Sequence, residues 1–582
     1  MKILLAALIY FFSLLILVAE SKEEEINKNV NGTPSRAYLN INNISTQFVN
    51  NGDSDLKSDG NSGFIFPKES SKTAVFQSGF LWGAFIDNDP QVRVGGSAYR
   101  HALQPGKIKP DGTPENPELA KNRIYRVRSD VYQGGPIVDL TWEADDEGKT
   151  EQEVRDLYER DWNEWPAVDG APFDDIDDNG IYDPTIDLPG VKGTAQTIWY
   201  VANDLDPGIT TFLYGANPLG IEFQATIWAY KDQGFLDNLF FRKHVIINKS
   251  ISNFDSMYVT MWSDPDIGES GNDYAGCDSL LSLGYCYNAT DIDSNYLPLP
   301  TPAVGFDLIR GPIAAGNNGE DKNRNGIDDA SDFGIIEDKR VGPGYINLPM
   351  SAFYFFIRGD SLITDPTMGA SEGSTQFYNF MTGRVGGTGE PYIDPHTGVP
   401  TTFPLSGNPA TGDGWVDGDV HQASDRRIGI ASGPFNMTPG DTQVVVIAQI
   451  AAGAQIDVDR FMAIDSLKKY SELAQTFYDE SFPVPVSVNN VELKPTEFSL
   501  SQNYPNPFNP STTINFSLPQ SSFVTLKIYD VLGKEVITLI NEEKNSGKHF
   551  IEFDASNLSS GIYFYNLQAS EFGESKKMLL MK

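Results

Sequence analysis

The 582-residue chain holds only two cysteines, Cys277 and Cys286, and only five histidines. Two cysteines cannot build a disulfide framework. None of the histidines falls in an H-E-x-x-H pair, so a common zinc-protease signature is missing. No G-x-S-x-G elbow occurs. The Gly148-Lys149-Thr150 step lacks the upstream glycine of a phosphate loop, because Glu143 stands in its place. Basic residues are scarce: 43 Lys and Arg against 79 Asp and Glu leave a net charge of -36. Such a surface repels phosphate backbones and bare anionic membranes, so nucleic acid is not expected as a partner. Beyond the first twenty residues no apolar run is long enough to span a bilayer, and no transmembrane span is expected once the N-terminal signal is removed.

What is present begins with MKILLAALIYFFSLLILVAESKEEE. Lys2 supplies a positive start, Ile3 to Ala19 an apolar core, and Ala19 and Ser21 small residues near a cleavage point. Residues 1–21 therefore read as a secretory signal peptide, with an uncleaved anchor as the alternative. No cysteine lies near the cleavage point, which argues against a lipid anchor. Export to an oxidising space permits a disulfide in GCDSLLSLGYCY if its cysteines face each other across a hairpin; two buried thiols are the other reading.

Hydrophobic residues at 40%, aromatics at 12%, 53 glycines and 36 prolines describe a folded chain with many turns. Residues 22–36 are charged and polar and are expected to form a flexible lead-in. From 37 to 485, strand-like runs such as SKTAVFQSGFLWGAFI, IEFQATIWAY, LFFRKHVIINKS and SMYVTMWSD follow one another between turn residues. The expected class is mainly β: a multidomain antiparallel sandwich body with a few helices. One helix is expected from Thr150 to Trp165, opened by a Thr150/Glu153 capping box, with Val154, Leu157, Tyr158, Trp162 and Trp165 on one face. A second is expected over 458–478, with Phe461, Ile464, Leu467, Ala474 and Phe477 as its buried stripe. Prolines and isolated valines over 486–497 suit an extended linker.

The terminal stretch from 498 to 582 has its own logic. Three prolines in Tyr504-Pro505-Asn506-Pro507-Phe508-Asn509-Pro510 prevent a helix. Ile514, Phe516 and Leu518 then alternate with polar residues, as do Val524, Leu526 and Ile528; Ile551 with Phe553, and Ile562 with Phe564, mark later strands. About seven short strands make an immunoglobulin-like sandwich. LSQNYPNPFNPSTTINFSLP, VTLKIYDVLGKEV, LSSGIYFYNL and the basic tail KKMLLMK, in that order, resemble the type A C-terminal sorting domain of the type IX (Por) secretion system. The resemblance implies a Bacteroidetes-type bacterium, Sec export to the periplasm, and passage across the outer membrane through the type IX translocon, which residues 498–582 would engage. It places the product in the medium or on the cell surface. In the body, RRIGIASGPFNMTPGDTQVVVIAQIAAGA is similar to secreted proteins of such bacteria, a similarity that supplies no mechanism.

Two acidic loops stand out. In DKNRNGIDDASD, Asp321, Asn323, Asn325, Gly326, Asp329 and Asp332 occupy positions 1, 3, 5, 6, 9 and 12, with the Ile327 carbonyl as a further ligand. Calcium takes six to eight hard oxygens around such a tight loop. The pattern resembles thrombospondin type 3 and dockerin loops, with Asp in place of the usual final Glu. In DIDDNGIYDPTID, Asp175, Asp177, Asn179, Gly180 and Asp183 fit positions 1, 3, 5, 6 and 9; position 12 is Ile186, and Asp187 follows one residue late. Structural calcium is the expected cofactor. A third segment, SDPDIGESGNDYAGCD, carries Asp264, Asp266, Asp273 and Asp278 and reads as an exposed acidic loop, or else as another cation site. Of the eight tryptophans, Trp415 in the turn-rich TGDGWVDGD is expected to be the most exposed. The functional expectation is a non-catalytic, adhesive or structural, calcium-stabilised protein. The alternative is a protein that binds or degrades extracellular glycan; an extracellular protein partner also fits.

Overall fold

The computed structural model describes residues 35–87, 89–131, 140–316, 334–336, 339–341, 345–482, 498–503, 506–570 and 572–582. These divide into two compact units, a body reaching 482 and a second unit that contains the terminal stretch from 498.

Two large antiparallel sheets, with several two-stranded ones beside them, build the body. The larger runs in the order Asp273–Asp278, Leu283–Asn288, Pro302–Arg310, Thr442–Gly453, Leu239–Asn248, Ile221–Ala229 and Gln196–Asn203, the last of which also pairs with Gln104–Pro105 and Tyr125–Arg128. The smaller runs Ala352–Ile357, Arg426–Met437, Phe254–Asp264, Gln77–Ile86 and Arg93–Gly96. Their inner faces share one core, in which Phe80 and Trp82 of the small sheet meet Phe223 of the large one with ring centroids 6.0 and 5.8 Å apart. His244 packs there against both Phe80 and Phe223, and burial drives its imidazole well below its ordinary pKa, so it is neutral packing.

The outer faces are covered as well. Helix Arg460–Ser481 packs on the large sheet, where Phe477 and Tyr478 meet Phe241 and Tyr478 meets Trp228. Helix Ser371–Met381 packs on the small sheet, and Tyr378 donates its hydroxyl to the Ser256 carbonyl. Strands covered on both faces lose the in-out alternation of a wet sheet. Gln196–Asn203 and Pro302–Arg310 are buried at every position.

Helix Glu151–Asn163 starts at Thr150 with both hydrogen bonds of the expected capping box. Its buried residues are Val154, Tyr158 and Asp161, the last because Arg123 reaches it at 2.9 Å. The long helix runs Arg460–Ser481 and buries Tyr478 where Phe477 was expected to be the deeper residue. Cys277 and Cys286 lie on neighbouring strands but out of register, Cys277 opposite Gly284 and Cys286 opposite Ala275. Both are buried free thiols. No helix among the described residues is long and apolar enough to cross a membrane.

The terminal unit is a seven-stranded sandwich. One sheet holds Ser499–Leu500, Ser511–Leu518 and Gly547–Asp554; the other runs Glu535–Lys544, Ser522–Tyr529, Gly561–Ala569 and Phe572–Leu580. Ile514, Phe516, Leu518, Val524, Leu526 and Ile528 form its core as their alternation predicts. The phase is opposite in Gly561–Ala569: Tyr565, Leu567 and Ala569 point inward while Ile562 and Phe564 are exposed. Apolar residues occupy both faces at the start of that strand, so periodicity alone gives the wrong face.

Candidate functional site

The loop from Asp174 to Asp187 turns through Gly180, whose φ of +75° is the left-handed conformation that favours glycine. The Gly180 and Asn179 amides donate to the Asp175 carboxylate at 2.6 and 3.1 Å, and the Gly180 bond first of all holds that carboxyl below its usual range. The Ile181 amide donates to Asn179 Oδ1 at 2.7 Å, and Asn179 Nδ2 donates to Asp177 at 2.8 Å. Buried Asp187 closes the loop by accepting from the Ile176 and Asp183 amides at 2.9 and 2.7 Å. One carboxylate oxygen from each of Asp175, Asp177 and Asp187 lies within 4.8 Å of the other two. Asp183 stays outside this group, turned to the amide and hydroxyl of Thr185 at 2.8 and 2.7 Å. The extra residue after Asp183 thus carries the last acid from position 12 to position 13. The other loop, with Asp321, Asn323, Asn325, Ile327, Asp329 and Asp332, lies outside the described residues.

The second half of the Asp174–Asp187 loop forms one wall of a cleft of about 600 Å³. Tyr125, Trp165, Phe173 and Tyr182 line it together with Lys121 and Arg123. The Arg123 guanidinium lies 4.0 Å from the Tyr125 ring centroid and pairs with Glu164 at 2.8 Å. Aromatic walls with a few fixed polar groups are the usual furniture of a small-ligand cleft. Trp165 itself is buried and donates to the Pro172 carbonyl at 2.8 Å, so its ring is packing and not an open stacking platform.

SDPDIGESGNDYAGCD is not an exposed loop. Asp264 ends strand Phe254–Asp264, Asp273 begins the edge strand of the large sheet, and both are buried. One carboxylate oxygen from each of Asp264, Asp266 and Asp425 lies within 4.8 Å of the other two. Asp425 precedes the Arg426–Met437 strand, more than 150 residues along the chain, and the pairing of Arg426–Met437 with Phe254–Asp264 brings it there. Its part was invisible in sequence, because only that pairing creates the neighbourhood. Arg427 meets Asp425 Oδ1 at 2.7 Å and Asp264 Oδ1 at 3.3 Å. Burial, ahead of the neighbouring carboxylates, raises the Asp264 and Asp266 carboxyls above the ordinary range. Asp278 stands apart, paired with Lys468 at 3.0 Å. Trp415 is buried, contrary to the exposure expected from its turn-rich surroundings: its loop folds back with the Gly407 amide bonded to the Trp415 carbonyl at 2.8 Å.

In the terminal unit the Asn-Pro segment latches the last strand. The Leu579 amide donates to Asn506 Oδ1 at 2.8 Å, the Phe508 amide to the Leu579 carbonyl at 2.9 Å, and the Met581 amide to the Phe508 carbonyl at 2.9 Å. Buried Asn503 donates its amide to the Tyr565 hydroxyl at 2.7 Å and its side chain to Thr512 at 2.9 Å. The motifs at the two ends of the domain are parts of one structural joint.

No curated protein matches the chain. A solved structure of a polysaccharide lyase aligns over 62% of this chain and 34% of its own, at 8% identity and a TM-score of 0.18, which is too low to support an argument. The chain spans about a third of that protein's length. The family model for the secretion system C-terminal sorting domain matches residues 502–581. Those residues are a Por secretion system sorting domain, and the chain is a cargo exported by that system across the outer membrane to the cell surface or the medium.

Proposed function

We propose that the exported chain is a calcium-stabilised protein with an adhesive or structural, non-catalytic body. The supporting observation is the gathering of Asp175, Asp177 and Asp187 around the Gly180 turn, with Asn179 beside them. An ion held there would clamp a loop whose free carboxylates repel each other, and it would bind the folded state only, which stabilises that state. Asp321, Asn323, Asn325, Ile327, Asp329 and Asp332 would hold a second ion. The translocon is the proposed partner of the sorting domain. The test is limited proteolysis of the full chain. Calcium is expected to protect the bonds between 174 and 188, and chelator to expose them; equal cleavage in both would remove calcium from the account.

A second reading, a glycan-directed protein, is favoured by the aromatic cleft beside that loop. Incubation with a panel of soluble and insoluble polysaccharides separates the two. Retention with sugar release makes the protein an enzyme, retention alone makes it a binding module, and neither leaves the adhesive role.

A further inference from the structure

The carboxylates that meet at the end of the small sheet differ from an ordinary acidic surface in their burial. Asp264 and Asp425 are buried and Asp266 is half-buried. The Oδ1 atoms of all three are sealed from solvent. Those of Asp425 and Asp264 meet the Arg427 guanidinium at 2.7 and 3.3 Å, while Asp266 Oδ1 has no hydrogen bond or ion pair among the described residues. Asp264 Oδ2 accepts from the Tyr99 hydroxyl at 2.7 Å.

A separate acid gives an independent sign. Asp273 is fully buried. Its Oδ2 accepts only a long 3.4 Å bond from the Ile267 amide, next to Asp266, and its Oδ1 accepts none. That bond sets the Asp273 carboxylate beside Ile267, the residue that follows Asp266. Asp264, Asp425 and Asp365 share one buried guanidinium, that of Arg427, at 3.3, 2.7 and 3.7 Å; the nearby Arg358 is largely exposed and reaches Asp425 only at 3.8 Å. Buried charge without a partner is costly, and a buried carboxylate is normally hydrogen-bonded or holds a metal.

We propose that Asp264, Asp266 and Asp425 bind a hard divalent cation, calcium. The donor set is oxygen only, without His or Cys, which suits calcium and disfavours softer metals. Calcium–oxygen distances of about 2.3–2.6 Å place opposite ligands about 4.6–5.2 Å apart, and the three oxygens lie within 4.8 Å of one another. The site has a structural logic. Asp264 ends one strand of the small sheet and Asp425 immediately precedes the strand paired with it, so a cation here would tie the ends of these two strands together.

The test separates this site from the loops. The full chain carrying Asp175→Asn, Asp177→Asn, Asp321→Asn and Asp329→Asn is stripped with chelator and titrated with calcium chloride by calorimetry. The expected result is one calcium bound per chain, lost when Asp266→Asn is added. In chelator the added variant is expected to melt no lower than its parent, since it removes a repelling charge. A loop-disabled chain that binds no calcium would overturn the site, as would one equivalent retained after Asp266→Asn. If wild type and the loop-disabled chain both bind one equivalent, the loop reading fails and this site stands.

Discussion

The body and the sorting domain are both antiparallel β structures, yet their sequences are readable to very different depths. In the sorting domain each sheet has one wet face: Ser522–Tyr529 alternates buried with exposed or half-buried positions along most of its length. In the body, sheet covers sheet and helices cover the outer faces, so Leu239–Asn248 is buried at eight of ten positions. A strand with one wet face advertises its register, whereas a strand buried on both faces shows only that it is apolar. The same difference separates their functions. The sorting domain's recognition motifs are contiguous and in order, while the body's acid cluster is assembled from Asp264, Asp266 and Asp425, which only tertiary structure brings together.

The comparison can be broken most sharply by deletion. Removing Phe498–Lys582 is expected to hold the chain in the periplasm and to reduce surface and medium levels to near zero, read by cell fractionation. Normal display of the deleted chain would deny the sorting domain its role.

The next effect lies in the body's core. Asp55 is fully buried and accepts from Arg242 at 3.1 Å and Gln449 at 3.2 Å. Asp55→Ala leaves the Arg242 guanidinium buried without its carboxylate, which is expected to cost about 3–5 kcal/mol in denaturant unfolding. A cost under about 1 kcal/mol would show that water reaches the site.

A pH effect follows from Asp204. It accepts the amides of Leu219, Gly220 and Ile221 at 2.9, 2.9 and 2.8 Å, but burial outweighs them and pushes its carboxyl up to about 6. A folded value above the unfolded one means that the folded state binds the proton more tightly. The associated stability is complete below about pH 4 and is lost as pH rises through about 6. Asp204→Asn is expected to flatten this slope, which amounts to about 3 kcal/mol at most between pH 4 and 7. An unchanged pH profile would assign the slope to other groups. The smallest effect is at the capping box, where Thr150→Ala is expected to lower stability by about 1 kcal/mol.

Parts of this were legible from residue types alone. The strand over 221–229, the capping box at Thr150 and the inward residues Ile514, Phe516 and Leu518 all follow from period and cap chemistry. Helix Pro207–Tyr214 was missed, although Asp206 as N-cap with Pro207 behind it is a start signal; the helix is only eight residues long and contains Gly208. Helix Ser371–Met381 has no side-chain cap and buries Gly373, so Glu372 in its first turn is a weak start signal. Position 13 of the Asp175 loop could be found by allowing one extra residue after Asp183. Asp425 could not, because 159 residues separate it from Asp266 and only the pairing of two strands closes that distance.

The most direct measurement is differential scanning calorimetry of the full chain in calcium and in chelator. The account predicts that the transition assigned to the body, by comparison with the chain deleted from Phe498 onward, moves up in calcium while that of the sorting domain stays in place. A body transition indifferent to calcium, or a calcium shift confined to the sorting domain, would contradict it.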